Sequence, residues 1–137
     1  KHLPDDCQLI CECHRGTIME NPEAAESVLN ECGDDRIKVL VHPFLVDARE
    51  LQKWFDYLGS SIVHAHISFY KGGRFYRLDE ASALVQRNVQ VMKKAGFTGS
   101  ISLEFTAGVG EETEERIQLY DNALQDIAFR KKVWQSQ

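Results

Sequence analysis

The chain has 137 residues, 43% of them hydrophobic and 27% charged, the balance of one globular domain and not of a disordered or fibrous chain. Its longest apolar runs, such as 37–41 broken by Lys38, fall far short of the roughly 20 residues that span a bilayer, so no membrane partner is expected. The net charge is −5 and the Lys and Arg residues are scattered among acids, which leaves no basic stripe for a phosphate backbone; a nucleic-acid partner is therefore not expected either.

The opening Lys1-His2-Leu3-Pro4-Asp5-Asp6 has no hydrophobic core segment of the kind a signal peptide needs, and the first residue is not Met. Cys7, Cys11, Cys13 and Cys32 make no CxxC pair and no second cluster for a thiolate zinc site. They read as free thiols, and a reducing, cytoplasmic location is expected.

Hydrophobic period and breaker residues predict strands at 7–13, 37–41, 61–67 and 100–105. Helices are predicted at 22–32, 48–58, 79–95 and 111–132. Asn21 can cap the first helix with Pro22 at its first position, Asp47 can cap the second, and Gly33, Gly59 and Gly96 stop three of them. Strands joined through helices need crossovers, so the predicted class is α/β with a parallel sheet. Four such units over residues 1–137 form half of a TIM (β/α)8 barrel, because a complete barrel takes roughly 250 residues.

Side chains alternate across a strand, so each strand divides into two faces. Cys7, Leu9, Cys11 and Cys13 share one face; Ile37, Val39 and Val41, then Val63, Ala65 and Ile67, then Ile101, Leu103 and Phe105 continue it. That apolar side should lie beneath the helices, which makes the cysteines on it buried fillers. The opposite side carries Gln8, Ile10, Glu12 and His14, then Lys38, Leu40 and His42, then Ile62, His64 and His66, then Ser102, Glu104 and Thr106. Glu12, His42, His66 and Glu104 fall near the C-terminal ends of four consecutive strands, where barrels build their sites.

A lone histidine at a strand end is more often a hydrogen-bonded structural residue than a ligand. Four donors at matching positions read instead as ligands for one divalent metal, with imidazole favouring transition ions: manganese, cobalt, zinc or iron, with magnesium also left open. Such an ion polarises a carbonyl while a neighbouring carboxylate moves a proton, which is the machinery of aldose–ketose isomerisation and of epimerisation next to a carbonyl. Lys71 and Arg74 around Gly72-Gly73 are candidate substrate contacts; His14 on the face of Glu12 and His64 on the face of His66 each read as a substrate contact or as a group that orients a ligand, with packing equally open for His64. Gly108 and Gly110 precede the last helix where barrels often bind phosphate, a weak signal by themselves.

The segments Leu9-Ile10-Cys11-Glu12-Cys13-His14-Arg15-Gly16-Thr17, Val63-His64-Ala65-His66-Ile67 and Ser100-Ile101-Ser102-Leu103-Glu104-Phe105 resemble the last strands of the xylose isomerase-like, sugar phosphate isomerase/epimerase superfamily. The resemblance implies the C-terminal half of the barrel, with Glu12, His66 and Glu104 as metal ligands and Glu12 and Glu104 as the acid/base pair. Where that superfamily usually has Asp at the end of the second strand, this chain has His42-Pro43, which removes a negative charge from the set. The expected function is a metal-dependent isomerase or epimerase of a sugar, cyclitol or related keto compound. The alternatives left open are a non-catalytic or fragmentary barrel module without metal, and an apurinic-site endonuclease-like hydrolase. A half barrel exposes sheet edges, so the expected partner is the missing N-terminal half-barrel or a second copy of the chain.

Overall fold

The computed structural model describes residue 4 and residues 6–136; the rest of the opening segment, Lys1, His2, Leu3 and Asp5, lies outside the described residues. Four strands, β1 (Leu9–Glu12), β2 (Ile37–Val41), β3 (Ile62–Ile67) and β6 (Ser100–Leu103), pair in parallel in that order. Helices α1 (Pro22–Cys32), α2 (Ala48–Leu58), α3 (Ser82–Lys94) and α4 (Arg116–Gln135) follow them in turn. A two-stranded antiparallel hairpin, β4 (Phe69–Lys71) with β5 (Arg74–Tyr76), is inserted between β3 and α3.

The first two helices begin and end where the sequence predicts, and for the predicted reasons. Asn21 accepts the Ala24 N–H at 2.9 Å with Pro22 behind it, and Asp47 accepts from Arg49 and Glu50 at 2.8 and 2.9 Å. Gly33 takes a left-handed conformation, φ 61°, and its N–H closes α1 on the Leu29 carbonyl, a geometry a side chain would strain. The third helix opens as a 3-10 turn, Leu78–Ala81, before turning α at Ser82. The fourth starts at Arg116 and not at 111, and Glu111, Glu112, Glu114 and Glu115 lie exposed ahead of it.

Apolar side chains from the sheet and helices meet in two adjoining clusters. One joins Cys13, Val39, Val41, Ile62 and Ala65 to Leu51, Trp54, Phe55, Leu58 and Met92; the other joins Phe44, Ile67, Leu78, Val85, Val89 and Val133. Ile62 departs from the predicted alternation. A register shift pairs Val39 with Ile62 but Leu40 with His64, so the bulge at Val63 turns Ile62 to the helix side while His64 and His66 keep the opposite face.

The cysteines divide in a way the alternation does not foresee. Cys13 is buried, and burial first, then the nearby Cys11 and Glu12, push its thiol up to about 12, which makes it inert. Cys11 is partly buried against the core, but Cys7 and Cys32 are exposed, because one precedes the edge strand β1 and the other ends α1. Cys7 is therefore not the buried filler that the alternation predicts.

One glycine is set by close approach. A Cβ added at Gly99 would sit 2.2 Å from the Val63 carbonyl oxygen, backbone that cannot move aside without shifting the β3–β6 pairing. Gly99→Ala is therefore expected to destabilise the chain by about 1–3 kcal/mol in urea unfolding, the cost of overpacking a rigid site. Unchanged stability would show that the β3–β6 junction is not this tight.

Candidate metal and proton-transfer site

The pairing of the four parallel strands brings their C-terminal ends together, and with them the side chains that the alternation places on the inner face. Glu12 ends β1; His42 follows β2; His66 lies in the last turn of pleat of β3; Glu104 follows β6, its N–H bonded to the Ile67 carbonyl at 3.1 Å. One donor atom from each of these four residues lies within 4.8 Å of all the others. The structure brings all four of these residues together.

His42 is the centre of the group and is only 8% exposed at its side chain. Its Nε2 lies 2.9 Å from Glu12 Oε1 and its Nδ1 lies 3.4 Å from Glu104 Oε2, without the alignment of a hydrogen bond. A neutral imidazole carries one N–H, so it can satisfy only one of two flanking carboxylates. His66 repeats the pattern: Nδ1 is buried without a hydrogen-bond partner, 3.9 Å from Glu104 Oε1. Two orphaned imidazole nitrogens facing carboxylate oxygens form a group that a cation would complete, and the two-carboxylate, two-imidazole set suits a divalent transition ion.

Surrounding structure fixes this group in place. Asn88 on α3 donates to the carbonyls of Pro43 and Val46, which ties down the loop that begins at His42. On the other flank Asp126 of α4 accepts the Leu78 N–H at 2.7 Å and the Thr106 hydroxyl at 2.6 Å, clamping the segment just after Glu104. His64, deeper on β3, sits between the Ser100 and Ser102 hydroxyls at 2.6 and 2.9 Å, with its ring centroid 5.1 Å from that of His66. Burial and then the charge of His66 lower its pKa, which favours the neutral ring. With both nitrogens engaged by serines, His64 supports the His66 ring from below.

The candidate substrate contacts lie at unequal distances from the centre. His14 is exposed beside the group, its ring 5.9 Å from His42, and its Nδ1 is 2.8 Å from the Arg15 carbonyl oxygen. Lys71 and Arg74 face each other at the end of the hairpin, both exposed, with Arg74 stacked 4.5 Å over the Tyr76 ring. No described contact joins either of them to the four donors.

The hairpin itself is what the sequence reading did not resolve. Its Phe75 packs 4.7 Å from Phe105, the residue next to Glu104, and its Tyr70 lines a cleft of about 330 Å³ with His42, Arg15, Glu20, Glu50 and Trp54. Gly72-Gly73 between Phe69-Tyr70-Lys71 and Arg74-Phe75-Tyr76 is a two-residue turn signal flanked by strand-forming aromatics, and it could have revealed the hairpin.

No protein-family model matches the chain, and no curated protein does. Among solved structures it resembles D-psicose 3-epimerase from Clostridium cellulolyticum H10, determined with D-tagatose, at a TM-score of 0.60 and 13% identity. The match covers 91% of this chain and 48% of the epimerase chain. The chain has the fold of half a (β/α)8 barrel. At this identity the likeness concerns the fold, and the half barrel spans about half the length of the structure it matches. Among the described residues no helix is long and apolar enough to cross a membrane.

Proposed function

We propose that this half barrel carries the metal site and the acid/base pair of a sugar isomerase or epimerase, completed by another half barrel. The observation that carries the reading is the convergence of Glu12, His42, His66 and Glu104 with two buried imidazole nitrogens left without partners. These four residues would hold one divalent ion, with manganese or cobalt suited to the mixed oxygen and nitrogen donors and zinc or magnesium as the competing choices. When bound, the ion would act as a Lewis acid toward a substrate carbonyl.

The proton chemistry belongs to the chain. Glu12 is 43% exposed and can reach a substrate in the mouth, whereas Glu104 is 23% exposed and more enclosed by the strand ends. One carboxylate removes the proton from the carbon next to the carbonyl and the other returns a proton, so Glu12 and Glu104 exchange acid and base roles with the direction of reaction. His14, Lys71 and Arg74 would contact substrate hydroxyls from the rim. The half barrel leaves the opposite wall of the pocket to its partner, in keeping with the 48% coverage of the epimerase chain.

The test is proton exchange in deuterium oxide. The chain is offered manganese or cobalt and a ketohexose such as D-psicose or D-tagatose, and bound metal is measured on the same sample. Metal uptake together with loss of the proton beside the carbonyl, both abolished by a chelator, is the expected result. A chain that takes up no metal would overturn the reading.

A further inference from the structure

The cleft beside the four-donor group takes no part in the proton chemistry. It measures about 330 Å³, at the small end of the range for small-molecule pockets and enough for one sugar ring. His42 belongs to both places, as one of the four donors and as part of the cleft lining. The rest of the lining comes mainly from the loops after β1 and β2, from α2 and from the β4–β5 hairpin. The cleft therefore lies inside this half of the barrel, whereas closing strands would add at the sheet edges, beside β1 and β6.

Its surfaces have two characters. Cys13, Val41, Leu51 and Trp54 are buried and give it an apolar floor, while the Tyr70 ring, 49% exposed, supplies an aromatic wall. Arg15, Glu20 and Glu50 bring charge to the same lining. Glu20 is steadied through Oε2, which accepts the Gly16 N–H at 3.0 Å and leaves Oε1 for a ligand. Among the described residues the Arg15 guanidinium and the Glu50 carboxylate have no hydrogen bond or ion pair.

A guanidinium only donates hydrogen bonds and a carboxylate only accepts them, so this set matches a ligand whose groups do both. Sugar hydroxyls do both, and the C–H face of a sugar ring can lie on an aromatic ring. One cation against two carboxylates disfavours a phosphate. The Gly16 N–H, of the kind that would cradle a phosphate in a loop, is already taken by Glu20.

We infer that this cleft holds a second sugar ring, joined to the one that reacts at the four-donor group, so that the substrate is a neutral disaccharide or glycoside. A lone ketohexose engages only the reacting end. The inference rests on the proposed reading of the four donors for which ring reacts; the cleft's own chemistry does not depend on metal.

Ligand-observed saturation-transfer NMR on the chain tests it, with lactulose, D-fructose and fructose 6-phosphate as probes, first without metal and then with magnesium. Lactulose is expected to bind roughly tenfold or more tightly than D-fructose, with saturation reaching the C–H groups of its galactose ring, and fructose 6-phosphate to bind no better than D-fructose. Arg15→Gln, an exposed change that leaves the fold intact, and Tyr70→Ala should each remove most of the lactulose preference and leave metal uptake unchanged. Lactulose binding no tighter than D-fructose, a preference that survives both substitutions, or fructose 6-phosphate binding tighter than lactulose would each overturn the proposal. Metal uptake, measured on the same preparations, judges the four-donor reading separately. Uptake without a lactulose preference sinks the cleft alone, and a preference lost in Arg15→Gln supports the cleft even where no metal binds.

Discussion

Glu104→Gln is expected to lower metal affinity by at least about a hundredfold in titration calorimetry while leaving the folded state in place. The carboxylate is the one group in the site that faces both orphaned imidazole nitrogens, at 3.4 Å from His42 Nδ1 and 3.9 Å from His66 Nδ1. Its neutral amide keeps the size and one oxygen but loses the charge that holds a divalent ion, and the loss of a ligand should exceed the 10- to 100-fold typical of groups that only orient ligands. Folding should be little affected, because Glu104 lies at the mouth and its structural contact is the backbone N–H to Ile67. His42→Asp is the informative counterpart: it adds a negative charge where this chain departs from the pattern it resembles, and it should shift preference toward manganese and magnesium over zinc. Metal affinity unchanged in Glu104→Gln would remove the carboxylate from the ligand set.

The second large effect is structural. Asp126 is 1% exposed and accepts from both the Leu78 N–H and the Thr106 hydroxyl. Asp126→Ala leaves two buried donors unsatisfied, at about 1–3 kcal/mol each, so a loss of about 3 kcal/mol and roughly 10 °C in Tm is expected. The same residue sets a pH dependence. Burial, outweighing the hydrogen bonds from Thr106 and Leu78, raises its pKa above 3.8, so the folded chain binds the proton more tightly than the unfolded one. Its contribution is fully present below 3.8 and is lost as pH rises through the raised folded value. Asp126→Asn keeps the shape and should flatten that part of the stability curve when chemical unfolding is followed against pH. A curve that rises with pH across the same window in the wild type alone would contradict the assignment.

What the sequence made legible follows from short-range physics. Asn21, Pro22, Gly33 and Asp47 act within a few residues of where they stand, and α1 and α2 match the prediction from end to end. The inner-face placement of Glu12, His42, His66 and Glu104 needed only the two-residue period and a parallel sheet. What remained hidden depended on contacts between distant segments. The bulge that turns Ile62 into the core arises from the pairing of β2 with β3, and the exposure of Cys7 from the edge position of β1. Asp126 reads in the sequence as one more polar residue on a helix, and its two partners, 48 and 20 residues away, become visible only in three dimensions.

Crystals of the chain soaked in manganese and measured for anomalous scattering test the central claim most directly. The expected result is one anomalous peak per chain, bonded to Glu12, His42, His66 and Glu104. Density that shows the four side chains ordered with no peak among them, or a peak held by other residues, would contradict it.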